Sequence, residues 1–172
     1  FNPYNYGGYE IVSSWPCTAT KSGKKSLAAF YGTKTDAVTG EEKVVDADNW
    51  PISPELPGKA QEIRFWANNF LESGTDSETQ EKWAYDYPET FDILYSTTDT
   101  DIASFTKIGD TKEQTEGVWK EYKAQLPEGA KYFAIHHNSK ATFDNEGIVS
   151  PFLFQIDDVT FASLNLKVLK YN

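Results

Sequence analysis

Period-two alternation runs through this chain, and helical periodicity does not. In EIRFWAN (Glu62–Asn68), Ile63, Phe65 and Ala67 fall on one side, and Arg64, Trp66 and Asn68 on the other. Phe91, Ile93 and Tyr95 alternate with Asp92, Leu94 and Ser96 in the same way. No window carries apolar residues at i, i+3, i+4 and i+7 for three turns. Strands are expected at Tyr9–Ser13, Ser26–Tyr31, Glu62–Asn68, Phe91–Ser96, Phe105–Ile108, Val118–Leu126, Tyr132–Asn138, Phe152–Phe161 and Leu164–Leu169. Half-polar strands of this kind suit antiparallel sheets with one wet face. Many of them, with Gly, Pro and Asp at the turns, predict an all-β sandwich or jelly roll.

Composition narrows the function. A chain of 172 residues is most simply one domain, residues 1–172, with room for a sizeable core. Aromatic residues make up 15% and charged residues 24%, which argues against disorder. The net charge of -10 repels phosphate backbones, so nucleic acid is not an expected partner. The single cysteine, Cys17, excludes an internal disulfide and is expected to be a buried, inert thiol. No run of apolar residues is long enough for a membrane span. The chain starts at Phe1 and contains no Met, so it reads as a piece excised from a longer chain.

Three polar stretches, Thr33–Asn49, Leu71–Glu89 and Lys140–Ser150, are expected as long loops, and no internal repeat is evident. The second places Trp83, Tyr85 and Tyr87 at period-two spacing among charges. Such rings stack on sugars, anchor a protein partner, or fold back over an apolar patch. One strand breaks its own phase: Phe152, Phe154 and Ile156 are in step, while Val159 and Phe161 are not. The slip falls at Asp157–Asp158, where a β-bulge would re-aim a carboxylate. His136 and His137 point to opposite faces of one strand and cannot share a metal without distortion. His137 shares the face of Phe133 and Ile135 and is expected in the core. No G-x-S-x-G elbow supports a serine triad, and neighbouring aspartates do not make a glycosidase pair facing across a cleft. The chain is therefore not expected to be an enzyme.

The ordered segments SGKKSLAAFYG (Ser22–Gly32), DNWPISPEL (Asp48–Leu56), EIRFWAN, FDILYSTTDTDIASFTKIG (Phe91–Gly109), WKEYKAQLPEGAKYFAIHHNS (Trp119–Ser139) and FQIDDVTF (Phe154–Phe161) resemble the choice-of-anchor J / cleaved-adhesin family. These are MAM-like, gingipain adhesin-like modules of Bacteroidetes surface proteins. The resemblance implies a galactose-binding/MAM-like jelly-roll β-sandwich, non-catalytic and extracellular or on the outer cell surface. It implies binding to host protein or glycan, or docking to neighbouring domains of the same chain. The alternatives are a carbohydrate-binding module serving a glycoside hydrolase, or a structural spacer. It also implies a structural Ca²⁺, with Asp157 or Asp158 giving a carboxylate oxygen and carbonyls around Lys21 and Ser22 completing the shell. Pro51, following Trp50, shifts a strand start or marks an edge. The tail at 164–172 resembles the run into a following module.

Overall fold

The computed structural model describes residues 9–12, 20–23, 25–145 and 147–162. Cys17 and the expected strand Leu164–Leu169 lie outside the described residues. Among the described residues there are fourteen strands: β1 Tyr9–Val12, β2 Ser26–Phe30, β3 Gly32–Thr35, β4 Glu42–Val45, β5 Gln61–Thr75, β6 Lys82–Tyr87, β7 Glu89–Ser96, β8 Thr106–Lys107, β9 Lys112–Gln114, β10 Lys120–Leu126, β11 Tyr132–His137, β12 Thr142–Phe143, β13 Ile148–Ser150 and β14 Leu153–Thr160. The helical content among the described residues is one short 3-10 turn, Ile102–Ser104. No helix among them is long and apolar enough to cross a membrane.

The chain forms a β-sandwich. One antiparallel sheet runs β1-β2-β14-β5-β10, with β6 added to the far end of β5. The other runs β11-β7-β8, with β9 also paired to β7. Alternation decides what meets between them. Ile63, Phe65 and Ala67 from β5, and Phe154 and Ile156 from β14, face Phe91 and Ile93 from β7 and Phe133 and Ile135 from β11. Phe91 is the hinge of this packing, with ring centroids 5.8 Å from Phe65 and 5.0 Å from Phe154. Pro51 does mark an edge. Residues 47–56 run along β11 as a broken strand, with isolated bridges Asn49↔His137 and Ile52↔Ala134. Ile135 N–H reaches the Pro51 carbonyl, so the missing proline donor leaves no gap in the ladder.

The three expected loops are hairpins instead: β3–β4, the β5–β6 extension and β12–β13. Two of them turn identically. Asp36 Oδ1 accepts the N–H groups of Val38 and Thr39, and Asp76 Oδ1 accepts those of Glu78 and Thr79. In both, the residue after the threonine has positive φ, Gly40 at 74° and Gln80 at 62°. The chain therefore does repeat a unit, T-D-x-x-T-x-E, at 35–41 and 75–81. Each aspartate closes an Asx turn that joins two polar strands.

Candidate functional site

The phase slip at the end of β14 is a bulge. Asp157 pairs with Trp66 and Thr160 with Arg64, so β14 spends one residue more than β5 over this stretch. Asp158 takes the extra turn, at φ 49°. The bulge faces the loop around residues 20–23. Asp157 Oδ2 accepts Lys21 N–H at 2.9 Å and Ser22 N–H at 3.2 Å, and the Ser22 hydroxyl donates to Asp158 Oδ1. Lys21 Nζ lies 3.9 Å from the centre of the Trp66 ring. The four residues expected at a cation site are thus brought together across more than 130 positions of sequence.

Their chemistry suits an ion only in part. Calcium collects about 6–8 oxygens. Two carboxylates and one hydroxyl meet here, but Lys21 and Ser22 turn N–H groups toward Asp157, where carbonyls were expected. An N–H donor complements a carboxylate and repels a cation. Among the described residues, no three or more His, Cys, Asp or Glu gather into a metal-holding group. The described donors fit calcium in kind at the two aspartates and fall short in number.

Trp83, Tyr85 and Tyr87 lie on β6, on a strand rather than in a loop, and alternation puts them on one face. Register places Gly74 opposite Trp83, Glu72 opposite Tyr85 and Phe70 opposite Tyr87. The three rings have different fates. Tyr87 packs inward, 4.4 Å from Phe152 and 5.4 Å from Phe70, and donates to Glu72 Oε2 at 3.2 Å. Tyr85 meets Tyr87 edge-on at 4.9 Å and donates its hydroxyl to Asp144. Trp83 lies across Gly74 so closely that a Cβ there would come within 2.7 Å of the indole. It is still 46% exposed. Glu72, Trp83, Ala84 and Tyr85 line a groove of about 470 Å³. Gly74, Glu72 and Asp144 escaped sequence reasoning because they become neighbours of the rings only once the hairpin's register is known.

The two histidines part as expected. His137 is fully buried. Asn49 Nδ2 donates to its Nδ1 at 3.0 Å, so Nε2 carries the proton and donates to Glu89 Oε2 at 2.8 Å. Ser139 Oγ also donates to Glu89 Oε2 and lies 3.2 Å from the same His137 nitrogen. Ser, His and Glu are therefore present together, but not as a relay. A relay needs the acid on one imidazole nitrogen and the hydroxyl on the other. Here both crowd Nε2, and all three side chains are sealed from solvent. Phe152 N–H adds a further donor to Glu89 Oε1, so the carboxylate ties β7, β11 and the start of β14 together. His136 faces outward. It stacks on Trp50 at 3.8 Å, and Asp48 Oδ1 takes both the Trp50 Nε1–H at 2.6 Å and His136 Nε2 at 3.0 Å. Burial lowers the His136 pKa below the ordinary value, against the opposing pull of Asp48.

Comparison with known proteins adds to this geometry. The family model of the Cleaved Adhesin Domain matches residues 8–161. Among solved structures, the K1 cleaved adhesin domain of Lys-gingipain from Porphyromonas gingivalis W83 is similar, with a TM-score of 0.55 at 20% identity. The match covers 89% of this chain and 82% of that one. The K2 cleaved adhesin domain of Lys-gingipain is similar at a TM-score of 0.58 and 16% identity, with the same coverage. At these identities the likeness concerns the fold. No curated protein matches the chain.

Proposed function

This chain belongs to the Cleaved Adhesin Domain family, and from that premise we propose that it is a non-catalytic binding module of an exported bacterial surface protein, recognising host protein or glycan through the β5–β6 hairpin. The observation that carries the proposal is Trp83. Its indole lies against Gly74, half exposed and outside the core. A preset aromatic surface of this kind suits a contact residue. The sealed Ser139–His137–Glu89 cluster supports the non-catalytic part, since no substrate reaches it.

The test is binding of wild type and Trp83→Ala to arrays of glycans and matrix proteins. Loss of the ring is expected to weaken the cognate partner by about 2 kcal/mol or more, with the melting temperature nearly unchanged. A collapse in stability would show that the ring serves packing.

Calcium enters the proposal in a restricted form. An ion at Asp157 and Asp158 has to displace the Lys21 and Ser22 N–H groups and draw its remaining oxygens from carbonyls. Binding to the folded state alone raises the melting temperature by mass action. Millimolar Ca²⁺ is therefore expected to raise the wild-type transition above its value in EGTA, and Asp157→Ala to remove the difference. An unmoved transition with no metal by elemental analysis means that the hydrogen-bonded latch is the working arrangement.

A further inference from the structure

The groove beside Trp83 combines a half-exposed indole with an acidic rim. Glu72 is exposed and sits one cross-strand position from the indole on the same face of the hairpin. Tyr87 holds one of its oxygens by a hydroxyl bond. Tyr85, the third lining side chain, leads to a second carboxylate at Asp144. No Lys or Arg is among the lining residues. Lys82 pairs with Thr75 and lines the adjoining groove on the other side of Trp83, together with Ser73 and Gly74, so the cation and Glu72 border different grooves. The whole chain carries a net charge of -10.

Resting on the reading that this hairpin is the contact surface, we infer that the groove takes a cationic side chain, arginine foremost, from a basic segment of a protein partner. Three parts of the chemistry agree. An ionised carboxylate only accepts hydrogen bonds, so the ligand must bring donors. Donors on a cation make bonds roughly twice as strong as neutral ones. A guanidinium is planar, so it can lie on the Trp83 ring and present its edge to Glu72 at once. A neutral sugar would use the ring but not the charge. An anionic glycan would meet two carboxylates and a repelling surface. The acidic field of the molecule would also steer a basic partner toward it.

The experiment uses the intact chain and a library of arginine-bearing dodecapeptides, each with a citrulline twin that keeps the shape and loses the charge. Arginine peptides are expected to bind, with the twins at least about tenfold weaker. Trp83→Ala and Glu72→Gln are each expected to weaken binding about tenfold or more, and Trp83→Phe to retain part of it. Binding should fall as sodium chloride rises. Equal binding of arginine and citrulline forms, indifference to Glu72→Gln, or no peptide binding at all overturns the inference. If Trp83→Ala then still abolishes binding to a neutral glycan or to an uncharged protein surface, the hairpin remains the contact surface. If no partner senses Trp83, that reading falls as well.

Discussion

At the residue scale, neighbours in sequence live in different media. His137 reads as core because it shares a face with Phe133 and Ile135, and alternation makes that legible without a structure. Its partner Glu89 does not, because the two are 48 positions apart and a glutamate before a strand looks like a surface charge. Removing one member of a buried pair leaves the others unsatisfied. Glu89→Ala strands the Phe152 N–H, the Ser139 hydroxyl and His137 together. Each stranded buried donor costs about 1–3 kcal/mol, so the variant is expected to lose about 3 kcal/mol or more in urea unfolding. His136 gives a pH dependence instead. Its folded pKa lies below the ordinary 6.5, so on acidification the unfolded chain takes the proton first. Its contribution to stability is full above the ordinary value and is lost as pH falls through it toward the folded value. Melting temperatures between pH 7.5 and 5.5 should therefore fall less in His136→Gln than in the wild type.

At the element scale, the buried strands were legible and the exposed ones were not. β5, β7 and β11 carry large apolar residues at every second position, which is the signal that alternation can detect. β3 and β4 are mostly solvated, as is the outer end of the β5–β6 hairpin, so no apolar period marks them. The turn chemistry was the available signal. The longer unit T-D-x-x-T-x-E occurs twice, and each instance builds the same hairpin. The two copies differ at one position in a way that predicts a measurement. Gly40 occupies the left-handed conformation without a Cβ, whereas Gln80 adopts it with one. Gln80→Gly is expected to stabilise by about 0.5–1 kcal/mol, and Gly40→Gln to destabilise by a similar amount. Chemical denaturation of both variants checks the pair. The bulge at Asp157 was legible for the same reason as the strands, since a broken period is as visible as an intact one. The direction of the N–H groups that meet it was not.

At the scale of the molecule, the order of six segments carried the architecture, since each lies on a strand or a bridge of the two sheets. The surface between those segments was much less legible. It depends on which hairpin faces which, and that is fixed by register across the sheets. One core filled from both sheets is expected to unfold as a unit. Far-ultraviolet circular dichroism and Trp fluorescence should give one coincident thermal transition, and two resolved transitions would divide the chain into separate units. β5 gives the fold a mechanical property as well. It is a single strand of 15 residues, bonded to β14 and β10 at one end and to β6 at the other. β5 is thus a covalent rod held between β14 and β10, and the exposed indole, carried on β6, lies over its far end at Gly74. A partner tugging on the hairpin tip along that rod loads the two flanking ladders in shear. Their hydrogen bonds then resist together, where a peeling pull would break them one after another. A grip placed there is anchored in the strongest direction that a sheet offers.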